Sequence, residues 1–325
     1  MIRFLATVLG LLALAAAVVG LAVRYLPITE HPGLILAAAG PYLVTAAPVA
    51  VLLFVLGRRG LFTLLAVAVA AGSVWTYGPR YLEPAATATA TAAVDVRVLT
   101  TNLGMGQADP AALVALARDS ADVVAVQEIT QQAADGLTAA GMDEVFPFRV
   151  VLPAPLASGI GLWSRHPIVN SGRMDGYSLP MLGARLRIPG VAVDTTVLSV
   201  HLAAPWPQPI GPWRHDIGMF PHTLREVGGS AGAGAVIVAG DFNATVDMAP
   251  FRNLLDEGYA DAGAQAGAGL ARTYPGSGRW PPLLGIDHVL LRHCAATSAR
   301  TVVVPGADHR GLLVRVQLPV DMTAS

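Results

Sequence analysis

With 325 residues, 54% of them hydrophobic and only 13% charged, the chain is longer than an average domain and too apolar to be soluble throughout. The formal net charge is −1 and lysine is absent; from residue 95 onward 16 arginines face 20 acidic residues, a local net of −4. No basic stripe of the kind that grips a nucleic-acid backbone is visible, and the one cysteine, Cys294, excludes an internal disulfide and reads as a small apolar filler.

The apolar excess lies in three nearly charge-free runs: FLATVLGLLALAAAVVGLAV from Phe4, LILAAAGPYLVTAAPVAVLLFVL from Leu34 and LFTLLAVAVAAGSVWTY from Leu61. The first two have the roughly 20 residues that cross a hydrocarbon layer, and the third is at the short end. A cleaved leader competes for the first run, but its length, the lack of a small-residue cleavage site before Arg24 and the two runs that follow favour an anchor. A soluble apolar helical domain is the blander alternative. Arg3 and the Arg58–Arg59 turn predict an inside amino terminus. Residues 1–80 are therefore expected to form a multi-pass cell-membrane domain with three transmembrane helices, and everything after Tyr81 is expected outside the cytoplasm.

YLEPAATATATAAV, residues 81–94, reads as a short Ala/Thr-rich linker. From there to residue 325 the texture changes. The β-branched runs VRVLTTN, DVVAVQE, TTVLSVHL, AVIVAGDFN, TVVVP and LLVRVQL alternate with the helix-like ADPAALVALARDS, TLREVGG and MAPFRNLLDEG. Strands alternating with helices predict an α/β domain.

Polar residues recur where these strands end: Asn102, Glu128, His201, Asp241 with Asn243, Asp287 with His288, and Asp308 with His309. In α/β proteins such residues converge on a crevice at one sheet edge. Singly, each has a plain explanation as a turn residue, a helix cap or a surface pair. Six such positions at apolar strand ends do not. On a continued strand Asp241 and Asn243 would share a face and converge on one object.

In that order, TTNLG, VVAVQE, GIGLWSRHPI, LSVHL, GDFNAT, GIDHVLL and GADHRGLLVRV, spanning about residues 95–319, resemble the endonuclease/exonuclease/phosphatase superfamily. The resemblance implies a four-layer α/β sandwich of two packed sheets flanked by helices, and a metal-dependent phosphoric ester hydrolase. By the same resemblance Glu128 would be the main ligand of a divalent cation, Mg²⁺ or Mn²⁺, with Asn102 beside it and Asp308 close by. Asp241 would orient or deprotonate the attacking water and Asn243 would hold a phosphate oxygen. His201 and His309 would bind the phosphoryl oxygens, with Asp287 fixing the His309 imidazole. Ser164 matches a family position and is expected to be structural.

Leu103 and Gly104 follow Asn102, and AAPWP follows Leu202, where relatives acting on damaged DNA often carry an acidic residue and a tyrosine. DNA repair is thus not implied. The Pro/Trp-rich residues 203–222 are expected to form a surface loop, or a lip over substrate or membrane. The leading expectation is a membrane-anchored phosphoesterase acting on a lipid headgroup or small phosphorylated molecule. An extracytoplasmic nuclease and a non-catalytic tethered binding protein are the alternatives.

Overall fold

The computed structural model describes residues 1–82 and 92–320. Most of the expected linker therefore lies outside the described residues. The chain forms two compact units, one of Met1–Leu82 together with Thr245–Arg252, the other of the remaining described chain.

The first unit is helical: Ile2–Ala22, continued by a 3-10 turn Val23–Tyr25, then His31–Leu43, Ala46–Leu56, Gly60–Tyr77 and the short Pro79–Leu82. Two segments, Ile2–Tyr25 and Gly60–Tyr77, are long and apolar enough to cross a membrane. The second apolar run, expected as one continuous span, is instead two helices bent by 61°, and it makes a third span only if that pair counts as one. Pro48 supplies the reason: its ring nitrogen cannot donate to the carbonyl of Val44 and its ring crowds that carbonyl, so the helix breaks there. Ala17, Ala37, Ala47 and Ala50 are fully buried, and such small residues let helices approach closely. Large apolar side chains such as Phe4, Leu12, Leu52 and Leu64 face outward.

The second unit is a four-layer sandwich, as the resemblance implies. Its strands are β1 (Ala93–Asn102), β2 (Val123–Gln127), β3 (Phe148–Leu152), β4 (Ile160–Ser164), β5 (Ile168–Met174) and β6 (Met181–Leu186). They continue with β7 (Thr195–His201), β8 (Val236–Asp241), β9 (Ala260–Asp261), β10 (Asp287–Arg292), β11 (Ala295–Val302) and β12 (Gly311–Pro319). One six-stranded sheet runs β11-β12-β1-β2-β4-β3 and the other β5-β6-β7-β8-β10-β9.

The near-continuous apolar runs arise because the central strands are covered on both faces. Val96, Val98, Val123 and Ala125 point to the core between the sheets, where they meet Val197, Ile237, Val289 and, at its edge, Cys294. Their alternates Leu99, Val124 and Val126 pack under the helices Pro110–Ser120 and Gln131–Ala139, with Leu113, Leu137 and Trp163.

The Pro/Trp-rich segment is a correction. Only its first residues are loop; a helix runs Ile210–Ala231. Ile210, Trp213, Ile217, Phe220, Leu224 and Val227 form its buried stripe, so burial of one face overrides the proline content. Trp213 is core, and Trp206 alone of the two tryptophans is exposed.

Candidate active site

Strand register sets three side chains in a row. β7 runs parallel to β8 with His201 opposite Asp241, and β10 runs antiparallel to β8 with Asp287 opposite the same Asp241. On the facing sheet β1 and β2 place Asn102 opposite Gln127, so Glu128 follows at the same end. All these strands end at one edge, where backbone pairing stops and side chains replace it as partners.

Asp241 Oδ2 is the centre. Asn102 Nδ2 donates to it at 3.1 Å and to Glu128 Oε1 at 3.0 Å. His201 Nε2 lies 3.8 Å from Asp241 Oδ2 and 3.7 Å from Glu128 Oε1, and His309 Nε2 lies 3.8 Å from Asp241 Oδ2. Asp287 Oδ2 accepts from His309 Nδ1 at 2.8 Å. Asn102, His201, Asp241 and Asp287 are at most 2% exposed and His309 is 6% exposed. Gaps of 3.8 Å between imidazole and carboxylate are too long for a direct hydrogen bond.

The electrostatics follow from that burial. Burial, then the charge of Asp287, pushes Asp241 up to about 6, against the lowering effect of the two histidines. Burial works to lower His309, but the charges of Asp287 and Asp241 and the Asp287 hydrogen bond outweigh it and raise the imidazole to about 10. At neutral pH the edge thus holds a cationic His309 and a partly destabilised carboxylate.

Two backbone strains mark the same edge. Glu128 and Asn243 have left-handed φ of 58° and 50°, uncommon for residues with a side chain. The Glu128 conformation lets Oε2 accept from Met105 N at 2.7 Å. Gly104, at φ 57°, closes the turn around Asn102 Oδ1, and a Cβ there would lie 2.7 Å from Asp308 Oδ1. Asp308 itself is exposed, beside this turn.

One local expectation fails. β8 ends at Asp241, so Asn243 is not its same-face neighbour on a strand. Its amide Nδ2 donates to Leu202 O at 2.9 Å and its backbone N to Asp241 Oδ1 at 2.8 Å, which makes it a clamp on the Asp241 turn. His288 points to the opposite face, bonding Asp261 Oδ2 at 3.1 Å and Ala244 O at 2.9 Å. Ser164 Oγ accepts from His166 N, a turn closure.

Sequence reading missed three groups. Gln127 Nε2 donates to Ser199 Oγ across the two sheets at 3.3 Å while Thr100 Oγ1 donates to Gln127 Oε1, so the amide beside Glu128 ties the sheets beneath the site. Tyr274 packs its ring 5.0 Å from that of His309. Thr273 O accepts from Arg310 N, Thr273 Oγ1 from Asp287 N, and Gly276 N donates to Asp308 O, lacing this segment to both Asp-His pairs. Gly276 has no room for a side chain, since a Cβ would come within 2.2 Å of the His309 carbonyl carbon. The only sequence signal was the TYPG turn.

A divalent cation fits the donor set. Glu128, Asp241, Asp287 and Asp308 bring four carboxylates to one edge against two imidazoles, and at Asp241 burial, then the charge of Asp287, makes the ionised form costly. A hard cation relieves it and prefers such oxygen donors. Among the described residues, ligand atoms of Asp241, Asp287 and His309 lie within 4.8 Å of one another. In that group the His309–Asp287 hydrogen bond engages Nδ1 and Asp287 Oδ2, and the cationic imidazole keeps its Nε2 proton, so Asp241 and the remaining Asp287 Oδ1 are the better donors.

The family model for the endonuclease/exonuclease/phosphatase family matches residues 99–316. Among solved structures, an endonuclease/exonuclease/phosphatase from Bacteroides vulgatus superposes with a TM-score of 0.56 at 17% identity, covering 69% of this chain and 99% of that one. D. rerio TDP2 complexed with a single-strand DNA product gives 0.55 at 17% identity, covering 68% and 98%. A Bacteroides thetaiotaomicron mannosyl-6-phosphatase gives 0.52 at 14% identity, covering 68% and 99%. No curated protein matches the chain in sequence.

Proposed function

The chain belongs to the endonuclease/exonuclease/phosphatase family, and from that membership we propose that it is a membrane-anchored, divalent-cation-dependent phosphoesterase. The observation that carries the reading is the Asp287–His309 pair turned toward Asp241 Oδ2, with His201 and Asn102 on the other side of the same oxygen.

Each residue has work that its surroundings suit it for. Asp241, mostly ionised at pH 7 yet pushed up to about 6, orients the attacking water and takes its proton. Asn243 holds Asp241 Oδ1 through its backbone N. His309, kept cationic by Asp287, donates from Nε2 to a phosphoryl oxygen, and His201 Nε2 does so from the neighbouring strand. Glu128, Asn102 and Asp308 would hold the Mg²⁺ or Mn²⁺. When bound, the cation neutralises phosphoryl charge and strengthens the leaving group. Tyr274, against His309, lines the approach.

The substrate reading is a phosphomonoester or phosphodiester presented at or near a membrane, a lipid headgroup or small phosphorylated molecule, in preference to duplex DNA. Three features support it. The apolar helices offer an anchor, the chain from residue 95 carries net −4 without lysine, and Trp206 and Trp280 are exposed. A negative surface disfavours a polyanion, and exposed indoles suit an interface. The test is a competition in which full-length protein with Mg²⁺ meets phospholipid vesicles and plasmid DNA at equal phosphate, with Asp241→Asn as blank. Release of headgroup or phosphate ahead of nicking is expected. Rapid nicking absent from the blank, with nothing released from lipid, selects the nuclease.

The catalytic unit is proposed to lie outside the cytoplasm. Arg59 Nε donates to Thr7 Oγ1 at 3.2 Å, so the amino terminus and the arginine turn share one end of the helical unit, as a common cytoplasmic side requires. A reporter active only in the cytoplasm, fused after Leu82, should be silent. Activity there overturns the topology.

A further inference from the structure

Beside Glu128 the active-site edge opens into a cleft of about 590 Å³ that the hydrolase reading leaves unused. Three short segments wall it: residues 105–107 after β1, 130–132 after β2 and 153–155 after β3. Met105 forms the inner corner, because the same residue donates its backbone N to Glu128 Oε2 at 2.7 Å. Gly104, Met105 and Gly106 follow one another at φ 57°, 53° and 77°. A residue with a side chain holds that left-handed conformation only where its surroundings fix it, and such fixed strain gathers at ligand sites. Thr130 closes the wall from the other side, since a Cβ on Gly106 would run into Thr130 Oγ1.

Among the described residues no arginine, histidine or carboxylate lines this cleft. Gln107, Gln131 and Gln132 bring three side-chain amides to it, and Met105, Pro153 and Pro155 bring apolar surface. Gln131 Nε2 donates to Asp135 Oδ1 at 2.8 Å, which orients that amide. The amides of Gln107 and Gln132 make no hydrogen bond among the described residues, and both residues are exposed. A second cleft of about 450 Å³ continues from Gln131 and Pro153, and its one cation, Arg149, already faces Asp143 Oδ2 at 3.2 Å. An amide carries donors and an acceptor, so it pairs with a hydroxyl in either direction, whereas an ionised phosphate oxygen only accepts and leaves the amide oxygen unmatched. A further phosphate placed here would leave water with no cation to meet it. Apolar walls beside amides suit the C–H faces of a ring or chain whose edges carry hydroxyls.

We propose that this cleft is the subsite for the alcohol esterified to the phosphate, and that the alcohol is a neutral polyol or sugar. The assignment rests on the hydrolase reading and narrows it. With the phosphoryl group between Asp241 and Glu128, a substituent that leaves on the Glu128 side enters the cleft past Met105, and its hydroxyls meet the amides of Gln107 and Gln132. A compound with a further phosphate at each unit is rejected. The polyol belongs either to a free sugar phosphate or to a lipid headgroup, and the cleft chemistry is the same for both.

Full-length protein in a sugar-free detergent with Mg²⁺ is assayed on fructose 6-phosphate, fructose 1,6-bisphosphate and cyclohexylmethyl phosphate, a ring without hydroxyls on a comparable leaving alcohol. A kcat/KM for fructose 6-phosphate about tenfold above each of the others is expected. Gln107→Leu and Gln132→Leu should each lower its ratio to cyclohexylmethyl phosphate about fivefold, the size of one neutral hydrogen bond. Gln132→Arg should raise the ratio of bisphosphate to monophosphate about tenfold by supplying the missing cation. Each ratio is taken on one preparation, so partial loss of folded protein cancels. A second arm uses nanodiscs of phosphatidylglycerol or phosphatidylcholine. Headgroup released from phosphatidylglycerol with fructose 6-phosphate untouched assigns the polyol to a lipid, and the leucine variants are then compared on these two lipids; the reverse assigns it to a free sugar phosphate. Saturation-transfer NMR of methyl α-glucopyranoside in EDTA reads the cleft without turnover, and transfer is expected with wild type and lost in the Gln107→Leu/Gln132→Leu double variant. Equal kcat/KM for sugar and bare ring, ratios unchanged in the leucine variants, or no transfer in EDTA overturns the proposal. Turnover of cyclohexylmethyl phosphate alone overturns it and keeps the hydrolase reading, whereas hydrolysis of no ester at all removes the hydrolase reading while transfer in EDTA still shows a polyol cleft.

Discussion

Glu128→Gln is expected to lower kcat/KM by about 10³-fold or more, a loss of about 4 kcal/mol of transition-state stabilisation, and to weaken Mg²⁺ binding in parallel. Glutamine keeps the shape of the side chain and an oxygen for Met105 N, so the turn that Oε2 now closes at 2.7 Å survives, while the charge and the bond that Oε1 accepts from Asn102 Nδ2 are lost. It is preferred over alanine because the residue sits at φ 58°, where any change of backbone preference would blur the result. Calorimetric Mg²⁺ titration and steady-state kinetics on the same preparation make the check. Normal turnover in limiting Mg²⁺ would remove Glu128 from the cation site, and an unchanged Kd with lost turnover would assign it to substrate instead.

Asp241→Asn should separate activity from stability. The acid-base step supplied by one positioned carboxylate is worth about 10²–10⁴-fold, and the variant is expected to lose at least the upper half of that range because Asp241 Oδ2 also faces Asn102, His201 and His309. Folding should respond the other way. In the cation-free protein Asp241 is raised from 3.8 to about 6, chiefly by burial and then by Asp287. A carboxyl that binds its proton more tightly folded than unfolded favours the folded state while protonated, at low pH. That contribution falls as pH rises from about 4 through about 6 and is gone above it. The neutral amide should therefore melt no lower than wild type at pH 7 with EDTA, while wild type gains on acidification across this window with respect to the variant. A variant that melts well below wild type, or a difference that does not vary across the window, would make Asp241 a structural residue.

Much of the sandwich was legible because its signals are local. A strand covered on both faces must be apolar nearly throughout, so VVAVQ, TTVLSVH and AVIVAG announced β2, β7 and β8 with ends close to those observed. The strand-end residues Asn102, Glu128, His201, Asp241, Asp287 and His309 could be found for the same reason, since a polar group next to such a run stands out. Less visible were segments whose local composition argues against what packing makes of them. Residues Ile210–Ala231 carry Pro212 and Pro221 yet form a helix, because Pro212 sits in the first turn, where no donor is needed, and the buried stripe outweighs the bond missing at Pro221. The second apolar run has the length of a span and nevertheless bends at Pro48.

By itself the sequence determined the elements, their apolar faces and the identity of the groups at the strand ends, because periodicity and residue chemistry act over a few neighbours. Tertiary structure alone decided which groups meet. Strand register set His201 and Asp287 on either side of Asp241, and sheet packing brought Asn102 across to the same carboxylate. The end of β8 turned Asn243 into a clamp, and the chain's return after residue 272 put Tyr274 on His309. Segments as distant as Arg24 and Asp247 came into one buried ion pair. Contacts of this kind depend on the relative placement of whole elements, which is fixed by the sum of many weak packing energies, and no short stretch of residues encodes that sum.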